Sequence, residues 1–330
     1  MAIIKVQDLE KSFRINKHHR GALGALRNFL SREFTLIRAV DKINFQVNKG
    51  EFIGYIGPNG AGKSTTIKML TGLLVPTAGL IEVMGYIPWK TRQLYVSKIG
   101  AVFGQRTTLW WDLPVIESLN LLQHIYKIPR DTFRKNLHEF RELLNLTPFL
   151  DAPVRTLSLG QRMRADLSAA LLHDPEILFL DEPTIGLDVL AKERIRQFIL
   201  HINQERRTTI LLTTHDISDV EKLCQRVMII DHGKLLFDGD LRIIREKFGG
   251  QRQLIVEFSQ PYLDYSIAGA EISYRQGRKV TYSFNRSSLT ASKLIGMLTS
   301  KFRIHDLSVR EPEIETIIRR IYEDKLLENE

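Results

Sequence analysis

Apolar and polar positions alternate along Ile3–Phe13 and again along Val40–Val47 (VDKINFQV), the period of a strand with one buried face. Glu51–Ile56 (EFIGYI) is apolar almost throughout and reads as a buried strand, and Thr65–Leu74 then takes the helical period. From Pro114 to about Asp151 the pattern stays helical, in IESLNLLQHIYKI and RDTFRKNLHEFRELLNL. Ile177–Leu180 and Thr209–Thr213 are short β-rich runs among helical stretches, which predicts a mostly parallel sheet covered by helices.

Near Gly239 the texture changes. Gln253–Phe258, Ile272–Tyr274, Lys279–Phe284 and Ile304–Val309 read as strands, and Ala291–Phe302 and Pro312–Leu327 as helices. The expectation is two domains, 1–240 and 241–330, the second a smaller α+β unit. The segment 14–38 stands apart as a basic insertion with six Lys/Arg and Glu33 as its one acid. Leu23, Leu26, Leu30 and Phe34 recur there at helical spacing, which suggests a helix that lies against a membrane surface or a membrane subunit, or equally a solvated or core-packed decoration.

Between the strand ending at Ile56 and the helix after Ser64 lies Gly57-Pro58-Asn59-Gly60-Ala61-Gly62-Lys63-Ser64-Thr65. Glycines let backbone N–H groups converge on an anion, and a helix N-terminus adds the positive end of its dipole. A lysine then reaches terminal phosphates and a hydroxyl ligates Mg²⁺. The strand–loop–helix order is what such a cradle needs, so the chain is expected to bind a nucleotide. Downstream, Glu176-Ile-Leu-Phe-Leu-Asp181-Glu182 delivers two carboxylates at the C-terminal end of a buried strand. Asp181 there suits Mg²⁺, in part through water, and Glu182 suits the base that deprotonates an attacking water.

Composition narrows the setting. The 330 residues carry 47 basic and 38 acidic side chains, a net charge of +9, which suits anionic partners. Cys224 is the only cysteine, so no intrachain disulfide forms, and it reads as core packing. No apolar run reaches the ~18 residues of a membrane span, and the charged N-terminus is no secretory signal.

Further motifs now carry a resemblance. Leu157-Ser158-Leu159-Gly160-Gln161 resembles the signature sequence of ABC transporter ATP-binding subunits. Gly57–Ser64 matches that family's Walker A, and Ile177–Asp181 with Glu182 matches Walker B and the catalytic glutamate. Gly186-Leu187-Asp188 matches the D-loop, His215 the switch histidine and Gln105 the Q-loop, while Phe13 sits where the family places an aromatic against adenine. The resemblance implies an α/β P-loop core with a mixed, mostly parallel sheet, an antiparallel β part and a helical subdomain near 106–168.

By the same resemblance, His215 donates to the γ-phosphate, and Ser64, Gln105 and Asp181 hold Mg²⁺. Ser158, Gly160 and Gln161 close on the γ-phosphate held by an opposite subunit. Two ATP are then sandwiched in a homodimer, or with a paired ATPase subunit. Leu159 replaces the family's usual glycine and restricts the backbone if that position needs positive φ.

The insertion and the extra domain look like ABC-2-type export ATPases, whose integral-membrane permease subunits are separate chains. The chain is then expected to be cytoplasmic, peripheral on the inner face of the membrane. A soluble ABC ATPase acting on the ribosome or nucleic acid is the alternative. It lacks support here, since one cassette is present, without coiled-coil heptads or paired cysteines, and no nucleic-acid partner is expected. A non-catalytic nucleotide sensor has no need of Glu182.

Overall fold

A computed structural model describes residues 1–16, 34–104, 106–249, 251–285, 288–311 and 314–323. The chain divides into two compact units, Met1–Gly239 and Asp240–Glu330.

The first unit holds two sheets. In the antiparallel one, β1 (Ala2–Asn16) lies between β2 (Phe34–Asn48) and β4 (Ala78–Val83). The six-stranded sheet has the order β5 (Ile99–Phe103), β6 (Ile177–Asp181), β7 (Thr209–Thr214), β3 (Phe52–Ile56), β8 (Arg226–Asp231), β9 (Lys234–Asp240). The pairs β5–β6, β6–β7, β7–β3 and β3–β8 are parallel. Every residue of β3 and β7 is buried, as strands flanked on both sides and covered on both faces must be. One apolar cluster joins both sheets through Leu9, Ile43, Tyr55, Ile67, Phe179 and Leu211.

Register decides where loops emerge. Phe103 pairs with Asp181, Asp181 with Thr213, and Ile56 with Thr214. Four strands therefore end at one level, and their following loops share one edge of the sheet. From β3 the chain enters α1 (Lys63–Leu70), and α2 (Arg92–Val96) precedes β5. The helix predicted over Thr65–Leu74 stops at Leu70, where the Thr71 hydroxyl donates to Ile67 O and Gly72 turns at φ 72°.

The helical part contains α3 (Val115–Ile125), α4 (Arg130–Leu143) and α5 (Leu159–Leu171). The buried Asp166 carboxylate on α5 takes the hydroxyls of Thr107 (2.8 Å) and Thr108 (3.2 Å) and the Thr108 N–H (2.9 Å), tying α5 to the stretch after β5. After β6 come α6 (Val189–Arg206) and, after β7, α7 (Ile217–Leu223). Cys224 is buried behind β3, and burial pushes its thiol pKa up.

The insertion departs from its predicted helix where it is described. Residues 14–16 extend β1, and Phe34–Arg38 begin β2, with Phe34 opposite Asn16. Leu23, Leu26 and Leu30 lie outside the described residues.

The second unit starts at α8 (Leu241–Phe248), capped by the Asp240 carboxylate. Its antiparallel sheet runs β11 (Glu271–Gln276), β12 (Lys279–Asn285), β10 (Gln251–Phe258), β13 (Ile304–Arg310). It packs with α9 (Ala291–Lys301) around Val256, Tyr282, Leu294 and Leu298, and α10 (Ile314–Glu323) packs on α8. Among the described residues no helix is long and apolar enough to cross a membrane.

Candidate active site

The loop after β3 is held by its glycines. Gly62 caps α1 at φ 109°, and a Cβ there would meet Ala39 O at 2.4 Å, so no other residue fits. No side chain caps α1, and the first-turn N–H groups of Lys63, Ser64 and Thr65 have no intrahelical acceptor. Such donors at a helix start fit phosphate oxygens. Lys63 is a buried residue, and its ammonium donates to Gly57 O (2.7 Å) and Pro58 O (3.1 Å). Burial lowers its pKa, while the Glu182 and Asp181 carboxylates oppose that shift.

Asp181 ends β6 facing two hydroxyls. Its Oδ1 accepts from Thr213 Oγ1 (2.5 Å) and Ser64 Oγ (3.1 Å). A carboxylate and a serine hydroxyl in contact are the hard oxygen donors that fit Mg²⁺.

Glu182 follows in the left-handed region, φ 54°, uncommon for a residue with a Cβ. Its N–H is shared between Thr213 O (3.0 Å) and Thr213 Oγ1 (3.2 Å). Gly104 closes against it from the next strand: a Cβ on Gly104 would sit 2.2 Å from Glu182 O. Glu182 Oε2 lies 3.3 Å from His215 Nδ1. The Glu182 side chain is 19% exposed and His215 51%, so the carboxylate is shielded where the imidazole is open to a ligand.

A cavity of about 550 Å³ is lined by Asn59, Ser64, Asp181, Glu182 and His215, while Lys63 and Thr213 lie outside its lining. Lys68 and Arg106 also line it, two cations that motif spacing does not single out, as does Gly104, whose role depends on a neighbouring strand. Thr213 belongs to a β-rich run with nothing in its spacing to mark it, yet its hydroxyl orients Asp181.

Other expected residues lie elsewhere. Ser158 caps α5 in a capping box: its Oγ accepts from Gln161 N (3.3 Å), and its N–H donates to Gln161 Oε1 (2.9 Å). Gly160 follows in the first turn, and Leu159 takes no positive φ, so its side chain is accommodated without strain. Leu159 instead rests on Gly186, where a Cβ would come within 3.1 Å of Leu159 Cδ2. None of Ser158, Gly160 and Gln161 lines this cavity. Phe13 lies on the β1–β2 hairpin, paired with Ile37, with the Lys11 ammonium 5.3 Å from its ring centroid. Gln105 lies outside the described residues.

A phosphate cradle after β3 and, two strands away in the same parallel run, a carboxylate–hydroxyl pair and a shielded glutamate after β6 define a P-loop nucleotide hydrolase. The comparisons specify which. The family model described as "ABC transporter" matches residues 40–185. The linearmycin resistance ATP-binding protein LnrL of Bacillus subtilis is 32% identical over 286 residues, 84% of this chain and 91% of its own. The ABC transporter ATP-binding protein NatA of B. subtilis is 31% identical over 211 residues, 64% of this chain and 85% of its own. A solved dimeric ATP-binding cassette, in a post-hydrolysis state bound to ADP and phosphate, matches with TM-score 0.60 and 26% identity over 72% of this chain and 99% of that one. The chain belongs to the ATP-binding proteins of ABC transporters and is an ATPase.

Proposed function

We propose that two copies of this chain close head to tail around two ATP molecules and drive export by separate membrane subunits, from the cytoplasmic face of the membrane. The observation that carries the dimer is the separation within one subunit: the cavity holds Ser64, Asp181, Glu182 and His215, while Ser158 and Gly160 lie outside its lining. A second copy is the natural source of a helix start for the γ-phosphate, and the dimeric relative supports that reading. Export is favoured by LnrL, a resistance protein whose 286-residue match is too long for Met1–Gly239 alone and so reaches the second unit.

In this reading the first-turn N–H groups of α1 bind the β- and γ-phosphates, and Lys63 exchanges its loop carbonyls for phosphate oxygens. Ser64 and Asp181, with Gln105, would hold Mg²⁺. Bound there, the cation offsets phosphate charge. Glu182 takes the proton of the attacking water, His215 donates to the γ-phosphate, and Phe13 supports adenine.

Glu182→Gln keeps the shape and removes the base, so ATP hydrolysis is expected to fall by about 10²–10⁴-fold. ATP affinity should persist, and an ATP-dependent dimer should accumulate on size-exclusion chromatography. Hydrolysis near the wild-type rate would place the base elsewhere.

A further inference from the structure

Behind the hydrolytic pair lies a buried ion pair. Asp219 on α7 is fully buried, and Arg196 on α6 is 6% exposed. Arg196 Nε donates to Asp219 Oδ1 at 2.6 Å, and a second guanidinium nitrogen pairs with the same oxygen. The other oxygen, Oδ2, accepts the hydroxyls of Thr184 (2.5 Å) and Thr214 (3.4 Å). Thr184 lies two residues after Glu182, and Thr214 directly precedes His215. The same helix also grips the start of α7: Lys192 donates to Asp216 Oδ2 at 2.6 Å, and Arg196 to Ser218 Oγ at 2.8 Å.

An apolar pair of similar volume holds two helices together as well as a buried ion pair does. What an apolar pair lacks is an acceptor directed at two loops. We infer that Asp219 is a positioning residue for hydrolysis: one carboxylate, steadied by Arg196, clasps the loop that carries Glu182 to the loop that carries His215. The inference rests on the roles given to those two residues above. A glutamate with φ 54° has no preference of its own for that conformation, so its carboxylate depends on neighbours to hold it.

Asp219→Asn strands a buried Arg196 and risks unfolding the chain, so Thr184 is the better handle. Thr184→Val keeps the shape and removes the hydroxyl, and Thr184→Ser returns it. For Thr184→Val of the full chain, kcat is expected to fall about tenfold, the worth of one hydrogen bond to a carboxylate, with KM for ATP within about twofold of wild type. Thr184→Ser should recover most of the rate. A merely structural role would instead lower Tm and shift kcat and KM together, without rescue by serine, and that result overturns the proposal. Glu182→Gln measured alongside separates two failures. If Glu182→Gln hydrolyses ATP normally, the assigned base is wrong and the clasp has nothing to position. If Glu182→Gln is inactive while Thr184→Val matches wild type, only the clasp is wrong.

Discussion

Gly104 is the residue whose importance is least evident from its neighbours in sequence. It takes an ordinary φ, so its missing Cβ matters for close approach rather than for conformation. Its N–H donates to Asp181 O at 2.8 Å, and the space a Cβ would occupy belongs to Glu182 O. Gly104→Ala is expected to cost about 1–3 kcal/mol as overpacking against backbone, which does not yield as a side-chain tip does. The displaced backbone is that of Glu182, so kcat should fall more than ATP affinity. A melt and steady-state kinetics read both effects, and a variant with wild-type Tm and kcat would mean that the loop gives way freely.

Asp216 offers a second residue-scale test. Burial alone would raise its pKa, but Lys192, the Ser218 hydroxyl and the Ser218 N–H outweigh it and bring the carboxyl down to about 2. The stabilisation is therefore complete above the unfolded value of about 3.9 and is lost as pH falls toward about 2. Asp216→Asn should lose less stability than wild type on acidification through that window, measured by urea unfolding at a series of pH values. Parallel acid profiles would mean that Lys192 does not favour the charged form.

At the scale of elements, the β1–β2 hairpin and the start of α5 differ in how they were encoded. The spacing of Leu30 and Phe34 is helical, yet Phe34 is strand, because pairing with β1 overrides a short local period. The hairpin arms expose Phe13, Ile15, Phe34, Leu36 and Ile37. Between the arms the sequence carries Lys17, Arg20, Arg27 and Arg32 against Glu33. Since Asn16 and Phe34 are directly opposite, residues 17–33 can be replaced by Asn-Gly, which closes a two-residue turn. That variant should fold and bind ATP normally but sediment less with anionic vesicles. Unchanged sedimentation removes the membrane-surface role.

The α5 start, by contrast, is legible from Ser158 and Gln161 alone, since a capping box spans only four residues. Leu159 raised the question of positive φ, and the helix answers it, because the first helical position needs none.

At the scale of the molecule, the six-stranded sheet reaches Asp240 through β9, and Asp240 also caps α8. A chain ending after Asp240 retains every strand that carries the cavity residues, so it should bind ATP with near-normal affinity, measured by titration with a fluorescent nucleotide. Loss of binding in a folded truncation would place part of the site in residues 241–330.

Local sequence was enough for the phosphate loop and for the strand that presents Asp181 and Glu182, because each depends on backbone conformations of adjacent residues. The runs at β3, β6 and β7 were legible for a related reason: a strand buried on both faces shows a near-continuous run of apolar and β-branched residues instead of alternation. β8 is not legible in the same way, its VMII core being short and set among charged residues. What only the tertiary structure decided is which distant groups meet. Ser64 and Thr213 share one oxygen of Asp181, Gly104 backs Glu182, and Asp219 reaches both Thr184 and Thr214. Those meetings follow from strand order and register, which put the ends of β5, β6, β7 and β3 at one level. Periodicity along the chain reports which face of an element is buried and carries no record of its neighbours.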